Sequence, residues 1–288
     1  MENNFLSPKE IVNYVESVGI DKASKKPIQT LLLGILAGMF IALGAFAAGV
    51  ASHSIENYGV SKLVAGAVFP VGLILVLVCG AELFTGNTLL SSAWFEKKIS
   101  FKAIMKNWSI VYVGNFIGAI AIVFMLVYSG ALDTNSGLFG AYAVKTATKK
   151  VSLTFGQAFL SGILCNILVS IAVWGSYAAK DIIGKIWITV IPIMAFIISG
   201  FEHSVANMYY LFIGLVAKGN PAFAEGSHMT AEQLANLDIS GIIQNLIPVT
   251  MGNIIGGALV VAGVYWVVFR KVYAIKSNKN IEGCIIKR

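Results

Sequence analysis

Gly80-Ala81-Glu82-Leu83-Phe84-Thr85-Gly86-Asn87 interrupts one long apolar run of the chain, and Gly200-Phe201-Glu202-His203-Ser204-Val205-Ala206-Asn207 interrupts another. Each stretch sets Glu two residues after Gly and Asn five residues after Glu. Ionisable groups are costly at bilayer depth and mark functional sites there. A matched pair of interrupted segments in the two halves of a chain points to a transport site.

The surrounding composition is that of a membrane protein. Of 288 residues, 57% are hydrophobic and only 12% charged, against about 25% charged in a soluble domain. The mean hydropathy is +0.79. The formal charge of +7 does not indicate a nucleic-acid partner, because the basic residues cluster between apolar runs and at the chain ends. The three cysteines, Cys79, Cys165 and Cys284, fit neither a disulfide framework nor a metal spacing; the first two read as small core residues. His53 and His228 read as solvated. No cofactor or metal is expected.

Six apolar segments are long enough to cross a bilayer core of about 20 helical residues: Leu31–Ala51, Val64–Trp94, Ser109–Ser129, Phe155–Tyr177, Ile186–Ala217 and Ile242–Phe269. The second and fifth contain the breaks. This predicts an all-α integral membrane fold. Residues 1–28 form a cytoplasmic amphipathic helix and linker, 29–270 a transmembrane domain, and 271–288 a basic tail. Of the 21 Lys and Arg, sixteen fall in the two tails and in the loops after segments two and four, and five on the other side. The positive-inside rule then places both termini in the cytoplasm, as an even number of spans requires.

The two halves match beyond the breaks. Gly34-Ile35-Leu36 is echoed by Gly162-Ile163-Leu164, and Gly114-Asn115-Phe116-Ile117-Gly118 by Gly252-Asn253-Ile254-Ile255-Gly256. Three spans per half put the second half in the membrane upside down, so 29–130 and 153–270 read as an inverted repeat. The small-xxx-small glycines are expected to let helix backbones approach closely. Ser7-Pro8-Lys9-Glu10 reads as a capping box opening a helix with an apolar stripe.

Broken backbone inside a membrane must be buried in protein or line a wet cavity, so the two breaks are expected to converge. Glu82 and Glu202, matched in both halves, read as caps on the free N–H groups of the breaks. His203 has no counterpart, since Leu83 occupies its place. An asymmetric imidazole in a symmetric frame reads as added chemistry, able to carry charge or pass a proton. Thr85 is placed to reach it across the axis, and Asn166 to orient the same ring. Phe69, Leu73, Leu83 and Phe196 are apolar neighbours of this centre that can bar hydrated ions. Lys145, Lys149 and Lys150 sit in an outer loop and read as an anion funnel.

Cys79-Gly80-Ala81-Glu82-Leu83-Phe84-Thr85-Gly86 resembles a signature of the formate/nitrite transporter family, as do Gly162 to Val169, Ser199 to Met208 and Asn245 to Gly257. The four motifs fall in order across Leu31 to Phe269. The resemblance implies an aquaporin-like protomer in a homopentamer in the plasma membrane, with one pore per protomer. It implies that His203 is the central pore histidine, partnered by Thr85 and Asn166. Phe69 and Phe196 resemble the outer constriction, Leu73 and Leu83 the inner one, and Lys150 the lysine of the outer vestibule. Glu82 stands where formate channels often have Asp, and Ser170 where the second signature commonly has Cys. The implied function is passage of a small monovalent anion, formate foremost, with proton transfer at the central histidine; nitrite and hydrosulfide are the alternatives. An intramembrane enzyme built on Glu202 and His203 is the rival class, but no metal-ligand spacing or Ser-His-acid set supports it. The paired Asn-Pro-Ala boxes of water and glycerol channels are absent.

Overall fold

The structure is a computed structural model that describes residues 5–272. The expected basic tail, 271–288, lies outside the described residues from 273 onward, as does Cys284. The described residues are helical throughout, apart from turns and one isolated bridge between Phe5 and Ala179.

Helix α1 (Pro8–Ser24) starts with Pro8 in its first turn and the Ser7 N–H donating to the Glu10 carboxylate at 2.7 Å. It buries Ile11, Val12, Val15, Glu16 and Gly19 against the protein. Helix α2 (Pro27–Ser52) is the first span. The second divides at Phe69-Pro70 into α3 (Tyr58–Val68) and α4 (Val71–Cys79), because proline supplies no N–H and crowds the preceding turn. Together α3 and α4 cover 22 residues, about 33 Å of helix. After the first break come α5 (Phe84–Asn87), a 3₁₀ turn and α6 (Ser91–Phe95), then the long α7 (Phe101–Tyr128).

The second half repeats this order. Helix α8 (Leu138–Val151) precedes the span α9 (Phe155–Ala178). The next segment breaks between α10 (Ile182–Ser199) and α11 (Ser204–Ala217). Short α12 (Pro221–Gly226) and α13 (Ala231–Ala235) lead to α14 (Ile239–Ile254). The last span continues in wider π turns over Ile255–Gly263 and through α15 (Val264–Trp266). Among the described residues, six helical stretches are long and apolar enough to cross a membrane, as expected.

Each half is held by glycines. A Cβ on Gly114 would stand 2.8 Å from the Leu31 carbonyl oxygen, and one on Gly162 2.7 Å from that of Val249. Thus α7 lies backbone to backbone on α2, and α14 on α9. The Tyr112 Oη and Thr250 Oγ1 atoms are 2.9 Å apart. Asn115 and Asn253 stand three residues after these two in matching motifs, so the bond joins equivalent positions and lies on the pseudo-two-fold axis. Two sequence readings are corrected. Cys79 is exposed rather than packed. His53 is half-buried, with Nδ1 2.8 Å from the Val50 carbonyl oxygen and Nε2 3.1 Å from the Asn135 amide.

Candidate functional site

Both breaks begin with a left-handed glycine, Gly80 at φ 81° and Gly200 at φ 73°, a region glycine enters without a Cβ clash. The chain then runs extended through Leu83 (φ −102°, ψ 127°) and His203 (φ −109°, ψ 116°) before helix resumes. Extended backbone inside a protein must find hydrogen-bond partners.

Those partners are not the two glutamates, which corrects the reading of Glu82 and Glu202 as caps. Asn115 Oδ1 accepts from the Phe84 N–H at 2.9 Å, while its Nδ2 donates to the carbonyls of Glu82 (2.9 Å) and Gly34 (2.7 Å). Asn253 repeats this with the Ser204 N–H (2.9 Å) and the carbonyls of Glu202 (3.0 Å) and Gly162 (2.8 Å). A primary amide both donates and accepts, so one side chain ties both edges of the break to the neighbouring span. A carboxylate accepts only.

The glutamates are buried, 2% and 4% exposed, and they are ion-paired. Glu82 accepts from Asn87 Nδ2 at 2.7 Å and faces Lys22 at 3.0 Å and Lys25 at 2.9 Å. Glu202 accepts from Asn207 Nδ2 at 2.6 Å and from Lys150 at 2.7 Å. Asn87 also donates to Asn107, and Asn207 to Asn245. Asn107 in turn donates to the Lys22 carbonyl, and Asn245 to the Lys150 carbonyl. Lys150 stands 128 residues after Lys22, the same shift that relates Gly34 to Gly162. Helices α1 and α8 are therefore counterparts, and the repeat includes them.

The centre differs between the halves. His203 Nδ1 accepts from the Ala206 N–H at 3.0 Å, capping α11. That bond leaves the proton of a neutral ring on Nε2, which lies 2.9 Å from Thr85 Oγ1. The expected meeting of Thr85 and His203 is thus present, with both side chains buried. Asn166 does not reach the imidazole, contrary to expectation. Its Nδ2 donates to the carbonyls of Asn253 (2.6 Å) and Thr85 (3.3 Å) and to Thr88 Oγ1 (3.2 Å). It positions both breaks from behind.

The Phe69 and Phe196 rings meet edge to face, with centroids 5.5 Å apart, and Phe196 stacks on the His203 ring at 6.0 Å. Leu73 and Leu83 are buried. Of the outer-loop lysines only Lys150 enters the site; Lys145 and Lys149 are exposed on α8. Sequence reasoning missed the ties made by Asn115 and Asn253 and the ion pairs of Lys22 and Lys25. The asparagines stood in motifs read for their glycines alone. Lys22 emerges once the Gly34-to-Gly162 shift is carried upstream.

The chain is similar to known proteins along most of its length. The family model described as formate/nitrite transporter matches residues 9–267. The formate channel FocA of Escherichia coli (strain K12) is 39% identical over 271 residues, covering 92% of this chain and 95% of that one. A probable formate transporter of Methanothermobacter thermautotrophicus is 38% identical over 290 residues, covering 94% and 100%. A solved structure described as a pentameric formate channel with formate bound superposes with a TM-score of 0.74 at 34% identity, covering 84% of this chain and 97% of that one.

Proposed function

The chain belongs to the formate/nitrite transporter family, and from that premise we propose that it is a membrane channel for small monovalent anions, formate foremost, working as a homopentamer with one passage per protomer. The observation that carries the reading is the 2.9 Å contact between Thr85 Oγ1 and His203 Nε2. It joins two matched membrane breaks beneath a pair of packed aromatic rings. His203, Thr85, Lys150 and the rings of Phe69 and Phe196 form the pathway in this proposal, with Leu73 and Leu83 as its inner apolar wall.

A bare formate ion does not cross such rings, because stripping its hydration costs far more than the rings return. Formate is the base of a weak acid, and low dielectric favours its neutral form. Donation from His203 Nε2–H stabilises the anion at the centre. Full proton transfer asks more: His203 must take a proton on Nδ1 and release the Ala206 N–H. Net flux on this scheme rises with the outward or inward gradient of formic acid and depends on pH.

The protein is a multi-pass membrane protein. We place it in the plasma membrane with both termini cytoplasmic, and we assign it no enzymatic step. Proteoliposome flux assays with formate, nitrite, hydrosulfide, lactate, acetate and chloride at two pH values test the reading. Formate is expected to move fastest and to emerge chemically unchanged. Conversion of formate, or no flux above protein-free liposomes, refutes it. A His203→Asn variant with the wild-type rate and pH dependence refutes the role given to the imidazole.

A further inference from the structure

The inner break sets two ammonium groups, Lys22 and Lys25, on Glu82, whereas the outer break sets only Lys150 on Glu202. The shift that takes Lys22 to Lys150 takes Lys25 to Leu153, so repeat two lacks the second cation in its own half. A cation from the other repeat stands nearby without pairing to Glu202. Lys62, on α3, has its Nζ 3.6 Å from the position a Cβ on Gly200 would take. Its charged neighbours are Lys150, Lys149 and Glu202. Gly66, one turn further along α3, packs on Met194 and Ile198 of α10, which fixes Lys62 level with the outer break.

Lys62 makes no ion pair or hydrogen bond among the described residues. It lies over the Tyr58 ring at 5.8 Å and is partly buried. At the outer break the Lys150 charge is cancelled by Glu202 at 2.7 Å, which leaves Lys62 as the uncompensated one. The carbonyl end of α10 favours a cation beside it without neutralising it.

We propose that Lys62 is the cation that receives the anion at the outer mouth, ahead of Lys150 and the exposed Lys145 and Lys149. This rests on the anion-channel reading above and names the group that admits substrate from the outer side. An unpaired ammonium group at the rim attracts anions over about 8 Å at physiological salt, so it acts on capture rather than on the crossing step.

The test measures initial formate uptake from the outer side in vesicles of known orientation, over a range of formate concentrations, at low and high ionic strength. Lys62→Gln is expected to raise half-saturation roughly three- to tenfold at low salt, with the saturated rate little changed and the difference shrinking at high salt. Lys62→Arg is expected to keep wild-type behaviour, and Lys102→Gln, an exposed lysine at the start of α7 on the opposite side, to stay within about twofold of it. Lys62→Met, which keeps the apolar stem, serves as a second neutral variant if Lys62→Gln does not assemble. Unchanged half-saturation in the neutral variants overturns the proposal. So does a loss that is equal at both salt levels, since that marks a purely structural cap on α10. A wild-type protein that moves no formate refutes the channel reading instead, a separate and recognisable failure.

Discussion

Asn115 and Asn253 each satisfy one backbone donor and two backbone acceptors inside the protein. Removing either strands buried polar groups, at about 1–3 kcal/mol each. Asn115→Ala and Asn253→Ala are therefore expected to lower the thermal midpoint of the purified protein by similar amounts. Both are expected to slow flux, Asn253→Ala the more, since it frees the turn that aims His203 while Asn115→Ala frees the turn that carries Thr85. A large difference in midpoint between the two would contradict their equivalence. The Glu202–Lys150 pair gives a second prediction. Breaking a buried pair on one side leaves an uncompensated charge, costing about 3–5 kcal/mol. Glu202→Gln should thus melt lower than the double variant Glu202→Gln/Lys150→Gln, and the reverse order in a thermal scan would count against the ion pair. These two roles were read differently from sequence. A glutamate near a helix start suggests a cap, but the choice between cap and ion pair depends on Lys22 and Lys150, which arrive from helices far away in sequence.

The breaks themselves were legible at the level of elements, because Gly followed by a carboxylate inside an apolar run is incompatible with an uninterrupted lipid-facing helix. The division at Pro70 was not read, and proline alone would not have given it, since Pro192 and Pro248 lie inside the continuous helices α10 and α14. The π turns after Ile254 were not legible either, nor was the close packing of a glycine within them. Gly257 faces Thr88, Asn166 and Ser170, and a Cβ on it would overlap the Thr88 hydroxyl and stand 2.5 Å from Asn166 Nδ2. The Thr88 hydroxyl donates to the Thr85 carbonyl at 2.6 Å, so a methyl group at 257 is transmitted to Thr85. Gly257→Ala is expected to reduce formate flux severalfold and to destabilise by about 1–3 kcal/mol through overpacking. Gly156→Ala, where nothing lies within 4 Å of the added methyl, is the control expected to leave both unchanged. Equal behaviour of the two variants in paired flux and melting assays would remove Gly257 from the account.

Across the whole molecule, α1 is fastened at its C-terminal end and at its middle. Lys22 and Lys25 grip Glu82, and the fully buried Glu16 is held by Lys98 at 2.6 Å and by Arg270 at 2.6 and 2.9 Å. Sequence reading placed α1 on the cytoplasmic face, resting on membrane or protein. It could not find the partners of Glu16, which lie 82 and 254 residues away. Glu16→Gln weakens both pairs at once, and hydrogen exchange over residues 8–24 is expected to speed up while exchange in α2 and α9 holds. Unaltered exchange in α1 would show that its apolar face alone secures it. The inverted repeat now reaches from α1 to α14, and its two ends carry nearly the same set of bonds to carboxylate, amide and ammonium. A conduit with such similar ends rectifies weakly: reversing the chemical gradient reverses the current at comparable magnitude, and the residual bias traces to the groups without twins, Lys25, Lys62 and His203.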